Sequence, residues 1–154
     1  FEVYNENDDV IISADTIWLF VHTKTRKPKT VNEDMYRGYC VTPGKNKLQK
    51  LVNPQPPEKI EFEKEFRIRF SDIDTNDHVN NVSYVSWALE ALPIEILQEK
   101  EIELIRIIYK KELQYGAMIK SQAEIKNEMS KLISLHSIID QAGNCACNIE
   151  IHWK

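Results

Sequence analysis

The chain has 154 residues, 42% of them hydrophobic and 29% charged, with a formal net charge of -4 and a pI near 5.6. That length and balance suit a globular protein with one sizeable core and exclude a disordered chain. The acidic balance leaves no positive field to attract a nucleic-acid backbone, so DNA and RNA are not expected partners.

Cys40, Cys145 and Cys147 form an odd set with no second pair to complete a zinc site, and they read as reduced thiols. No run approaches the roughly 18 apolar residues that span a bilayer, and no signal pattern opens the sequence. The expectation is a cytoplasmic protein without a membrane partner, or a plastid protein if a transit peptide precedes it. The chain opens at Phe1, already inside a strand-like pattern, which points to further residues upstream.

In chain order, the opening "FEVYNENDDVIISADTIWLFVHTKTRKPKTV" reads as a short strand, an Asn/Asp-rich turn and a long strand from about Val10 to His22, closed by a basic turn. Both faces of the second strand are apolar, so this hairpin needs a larger sheet to join. A short helix is expected at "VNEDMYRGYC", then a Gly- and Pro-marked linker. The domain boundary falls there, giving 1–57 and 58–154.

From Ile60 to Phe70 apolar and charged residues alternate, with Ile60, Phe62, Phe66, Ile68 and Phe70 on the face to be buried. The polar loop "SDIDTNDHVNN" ends in asparagines suited to capping. Val82, Val85, Leu89, Leu92 and Ile96 then follow at helical steps, with a break expected near Pro93. Four more strands are expected over Ile102–Leu113, Ala117–Asn127, Leu132–Asp140 and Cys145–Trp153. One strand, one long helix and four antiparallel strands make an α+β order, and a curled sheet wrapped around its helix is the hot-dog fold.

The loop gathers Asp72, Asp74, Asn76, Asp77, His78, Asn80 and Asn81 just before a helix. Turn and capping chemistry explains Asp and Asn there. It does not explain His78, which sits where helix N–H groups and the dipole can stabilise a developing oxyanion. A carboxylate to activate water, an amide or imidazole to hold a carbonyl oxygen, and no metal are what thioester hydrolysis requires. Asp72, Asp74 and His78 as metal ligands are the rival reading, but their spacing fits no standard set.

The stretch "FSDIDTNDHVNNVSYVSWALEALP", followed by "YKKELQYG", resembles the signature of plant-type acyl-acyl-carrier-protein thioesterases and their bacterial relatives. The opening hairpin resembles the end of the first hot-dog domain of those double hot-dog enzymes. The resemblance implies that residues 1–57 close a first hot-dog and that 58–154 form the second, catalytic one. It implies hydrolysis of acyl-carrier-protein thioesters to free fatty acids, ending fatty acid synthesis, with no cofactor. The family's site falls on Asp74, Asn76, His78 and Glu112. Glu112 is implied to activate water, Asn76 and His78 to hold the thioester and its oxyanion, and Asp74 to orient the histidine or asparagine, with the division between Glu112 and His78 left open. A cysteine nucleophile next after the glutamate is excluded, since that position is Leu113.

Cys145 and Cys147 share a face with Ile149, Ile151 and Trp153 and are expected in the core, as is Trp87. His22, His136 and His152 are read as surface residues. The basic turn Lys24, Arg26, Lys27 and Lys29 is a solvated hairpin end or a dock for an acidic carrier protein, and Arg106, Lys110 and Lys111 form a second such patch. Two rival functions stand beside the main one: a single hot-dog acyl-CoA thioesterase, and a non-catalytic hot-dog that binds acyl thioesters. A homodimer through hot-dog sheets is a further expectation.

Overall fold

The computed structural model describes residues 1–22, 24, 25, 27–32, 34, 37, 51–128 and 131–154. They belong to two compact units, Phe1–Leu51 and Val52–Lys154. The short helix expected over 31–40 rests on too few described residues to assess, and Arg26, Cys40 and residues 41–50 lie outside the described residues.

In the first unit, β1 (Glu2–Tyr4) pairs antiparallel with β2 (Val10–Ser13). The Asn5 side chain accepts from the N–H groups of Asn7 and Asp9, and Asp8 takes a left-handed φ of 63°, which short polar residues tolerate. The strand expected to run to His22 stops at Ser13, and Val21 makes only an isolated bridge with Pro28. Ile17, Trp18 and Leu19 are exposed. A strand apolar on both faces needs ladder partners and two covering layers, and this hairpin supplies neither.

The second unit runs β3 (Phe62–Arg67), α1 (Asn81–Glu90), α2 (Ile94–Glu99), β4 (Ile102–Tyr109), β5 (Met118–Glu128), β6 (Lys131–Asp140) and β7 (Cys145–Trp153). Its strands form one antiparallel sheet in the order β3-β5-β6-β7-β4. The helices connect β3 to β4, so the chain crosses the whole sheet between its two edges. Tyr84, Trp87, Ala88 and Leu92 share one buried cluster with Ile119, Ala123, Ile138, Cys147, Ile149 and Ile151. The expected α+β arrangement, one helix covering one sheet face, is what forms.

Asn80 caps α1, its side chain accepting from the Val82 N–H, and the helix breaks where Pro93 opens α2. The buried face is Tyr84, Trp87, Ala88 and Ala91, whereas Val82 is 68% exposed and Val85 and Leu89 are half-buried. Of the expected stripe, Leu92 is buried in the core and Leu89 and Ile96 pack against it, whereas Val82 turns to solvent. Tyr84 and Trp87 take the centre of the buried face, because two large aromatic rings bury more area than a valine.

Alternation also overreaches at both ends of β3. Ile60 and Phe70 are exposed, since the ladder stops at Arg67 and the chain enters a 3-10 turn at Phe70–Asp72. At the other edge β4 ends at Tyr109 instead of Leu113. The N–H groups of Lys110 and Lys111 both turn to the Ala146 carbonyl, at 2.8 and 3.2 Å, and the ladder closes.

The far face of the sheet carries buried carboxylates. Glu124 accepts from the N–H groups of Glu58 and Lys59, and Glu150 from that of Gln55, so the Pro-rich stretch 54–59 lies across this face as a strap. Cross-strand register places the two glutamates on either side of Leu135. Without the strap both would be solvent-facing, and charged groups are seldom buried unless so partnered.

Cys147 and Trp87 are core residues, as expected, and burial pushes the Cys147 thiol up to about 12. Two histidines overturn the surface assignment. His136 is fully buried on the helix-facing side with Nε2 2.9 Å from Ser134 Oγ, and His152 is largely covered and pairs with Glu150 at 2.7 Å. Strand phase alone misled here, because both faces of this sheet are covered.

Burial lowers the His136 pKa from 6.5 to about 4. Between those values the unfolded chain binds a proton that the folded chain refuses, so stability present above 6.5 is lost as pH falls toward 4. Urea unfolding of the wild type from pH 7 to 4.5 should show a decline about 2 kcal/mol larger than in His136→Gln. Parallel curves for the two proteins would contradict the neutral buried imidazole.

Candidate active site

The loop before α1 is a tight antiparallel turn. Ile73 bridges Val79, the Asp74 N–H donates to the His78 carbonyl at 2.7 Å, and the Asn80 N–H donates to the Asp72 carbonyl at 2.7 Å. Asp77 closes it with a left-handed φ of 61°. Asp74 Oδ1 accepts from the backbone N–H groups of Asn76 (2.8 Å) and His78 (3.2 Å). Those bonds, the one from Asn76 foremost, hold the Asp74 carboxyl below its ordinary range against some desolvation.

Asp72 is the strut beneath this turn. It is buried, and its carboxylate accepts from the Arg69 N–H (2.8 Å), Nε (3.3 Å) and Nη2 (3.0 Å). Burial pushes its pKa up, but the bonds from Arg69, with a further one from Ser83, prevail and lower it. Bound in this way, Asp72 is not available as a metal ligand beside Asp74 and His78. Among the described residues, no three His, Cys, Asp or Glu side chains are grouped to hold a metal ion.

His78 faces Glu112, with Nε2 to Oε2 at 3.5 Å, and both side chains are partly open to solvent. Glu112 does not sit in a strand, as expected from alternation, but in the connection between β4 and β5. Leu113 beside it is in the core. The opposite orientation of these neighbours thus comes from the loop that follows the closed ladder. Of the four candidates, the structure brings together the side chains of His78 and Glu112. Asp74 meets His78 and Asn76 through their backbones, and Asn76 is exposed at the tip of the turn. A groove of about 390 Å³ lies alongside, lined by Glu112, Gln114, Met118 and Gln141 among others.

Two tyrosines escaped the sequence reading. Tyr84 on α1 reaches the Glu112 segment, and Tyr109 at the end of β4 reaches the first turn of α1. The available signal was a phenol at an apolar position, whose hydroxyl needs a partner when covered. In the second candidate patch, Arg106 pairs with Glu150 and Lys111 with Asp140, so their charge is locally offset. Lys24, Lys27 and Lys29 are exposed, as is His22.

An antiparallel sheet curled over one helix, with a histidine–carboxylate pair at the helix start, defines a hot-dog domain of the thioesterase kind. Solved structures agree. A Lactobacillus plantarum protein assigned as an oleoyl thioesterase matches 87% of this chain with a TM-score of 0.76 at 25% identity, and this chain covers 53% of it. The 12:0-ACP thioesterase from Umbellularia californica shares the fold, with a TM-score of 0.70 at 23% identity over 87% of this chain and 51% of its own. An oleoyl-acyl carrier protein thioesterase from Coriandrum sativum is 29% identical over 157 aligned residues, 93% of this chain and 41% of that protein. The chain thus spans about two fifths of that relative's length. Residues 56–154 match the acyl-ACP thioesterase C-terminal domain, and the chain belongs to that family.

Because Asp74 holds two loop N–H groups, its removal should loosen the turn before it touches the core. Asp74→Ala should speed amide exchange at Asn76 and His78 at least about tenfold, while Asp74→Asn, which keeps an acceptor, should preserve most protection. Unchanged exchange in Asp74→Ala would refute the anchoring role.

Proposed function

We propose that this chain carries the catalytic site of an acyl-acyl-carrier-protein thioesterase, which hydrolyses the thioester to a free fatty acid and the carrier's thiol. The observation that carries the reading is the approach of His78 to Glu112 at 3.5 Å, in a domain of this family, at the start of a helix. The acyl-carrier-protein thioesterases among the relatives support the substrate class.

In this mechanism Glu112 takes a proton from water as it attacks the thioester carbonyl. His78 steadies the oxyanion, together with Asn76 when substrate draws that side chain in. Asp74 acts one step back, fixing the backbone from which Asn76 and His78 project. Collapse of the tetrahedral intermediate expels the thiolate, which takes up a proton. Leu113 stands next to Glu112, so no cysteine nucleophile is available at that position. The basic turn Lys24, Lys27 and Lys29, whose side chains are exposed, is the surface offered to an acidic carrier, whereas Arg106 and Lys111 are paired with Glu150 and Asp140. Residues 1–57 are read as the closing strands of a first hot-dog domain, a reading supported by the coriander relative's alignment over 93% of the chain.

The test is thiol release by the full-length protein with one acyl chain offered on carrier protein and on CoA. Hydrolysis of the carrier ester, with a loss in kcat of about 100-fold or more in Glu112→Gln at unchanged melting temperature, is expected. Preference for CoA would instead assign the acyl-CoA class. Binding without turnover would make the domain a non-catalytic acyl-thioester receptor.

A further inference from the structure

The two halves of the site come from opposite edges of the sheet. The loop holding His78 follows β3, and the segment holding Glu112 follows β4, and these are the two outer strands. The Glu112 segment then runs into β5, whose pairing with β3 ties Gly116 and Ala117 to Ile68. That pairing stops four residues short of Glu112, and on the other side the β4 ladder has already closed at Tyr109, so the last step of the approach must be set by something else.

Two tyrosines on the helix side span the gap in reciprocal fashion. Tyr84, 3% exposed on α1, donates its hydroxyl to the Lys111 carbonyl at 3.5 Å, and the Leu113 N–H faces that hydroxyl's oxygen. Those are the peptide groups on either side of Glu112. In return Tyr109, the last residue of β4, donates its hydroxyl to the Asn81 carbonyl at 3.2 Å, in the first turn of α1 and three residues after His78. The rings meet edge to face with centroids 5.3 Å apart, so the two contacts form one unit. Helix thus grips the glutamate segment, and the glutamate strand grips the helix start.

We infer that Tyr84 and Tyr109 are positioning residues that set the His78–Glu112 spacing by clasping the start of α1 to the segment bearing Glu112. The inference rests on the catalytic reading proposed above. Neither hydroxyl touches the pair; both act through the backbone that carries it. A shift of about 1 Å in such a pair is enough to lower turnover by up to about 100-fold.

The experiment uses the full-length protein and the variants Tyr84→Phe and Tyr109→Phe, which delete the hydroxyls and keep the rings, beside Glu112→Gln as reference. The expected result is a fall in kcat of about 10- to 100-fold in each with KM changed less than about twofold. A displaced pH profile of kcat and a changed chemical shift of the His78 imidazole by NMR should accompany it, with the circular dichroism spectrum retained. Wild-type kcat in both variants, while Glu112→Gln is inactive, would overturn the clasp and leave the catalytic reading intact. An active Glu112→Gln protein would instead overturn that reading. Should Tyr84→Phe fail to fold, because it removes the partner of the Lys111 carbonyl, Tyr109→Phe decides alone: its hydroxyl lies at a partly exposed edge, and wild-type kcat there would refute the proposal.

Discussion

Everything at the site depends on how α1 is seated on the sheet. The seat is aromatic: Phe66 on β3 stacks on Trp87 with centroids 6.4 Å apart, Trp87 meets Tyr84 edge-on at 5.5 Å, and Tyr84 meets Tyr109 on β4 at 5.3 Å. This run of rings crosses from one edge strand to the other. Each of those strands leads directly into a segment of the site, so the packing of one helix face fixes both. Asn80 completes the coupling, since the residue that caps the helix lies two positions after His78 and any rotation of the helix moves the histidine with it.

That dependence explains which parts of the molecule were legible in the sequence. β7 has the bounds read from its pattern, and β5 and β6 lie within a residue of theirs, because central strands of a covered sheet keep their alternation to the end. The cap at Asn80 and the break at Pro93 were also legible, since each rests on a local hydrogen bond or its absence. What failed were the edges. β3 and β4 end sooner than their apolar patterns, because edge ladders stop where neighbouring backbone turns away, as it does at Ala146. The helix stripe was legible at Leu89, Leu92 and Ile96 and off at its N-terminal end, since periodicity counted Val82 and not the area that Tyr84 and Trp87 remove from water. Of the site, the loop residues were legible as chemistry, but the approach of Glu112 was not legible as geometry, because it depends on a loop joining two strands.

The buried polar residues show the same limit of pattern reading. A two-residue alternation assumes one wet face, yet the strap of residues 54–59 covers the far face and takes Glu124 and Glu150 out of solvent. Three backbone N–H groups of the strap, which would otherwise need water, find carboxylate acceptors there. The arrangement is mutual: glutamates unsuited to burial anchor a proline-rich segment that could not join the sheet as a strand. His136, on the opposite face, has no such escape from its surroundings. It stays neutral, and Ser134, which also accepts from the Trp153 indole, ties it to the edge of the core.

Set against these enclosed groups, the openness of the proposed catalytic pair has a physical meaning. The His78 side chain is 40% exposed and that of Glu112 58%, so in the free protein water screens their interaction and a contact at 3.5 Å contributes little. A long acyl thioester laid in the adjoining groove would expel that water. The same pair would then act at lower effective dielectric, where an oriented donor stabilises an oxyanion far better than in solvent. Turnover would therefore depend on how much apolar surface the substrate brings, coupling recognition of the acyl chain to the strength of the chemistry at its carbonyl. A rigid frame around an open pair suits that coupling: the spacing is fixed before substrate arrives, and only the solvent has to change.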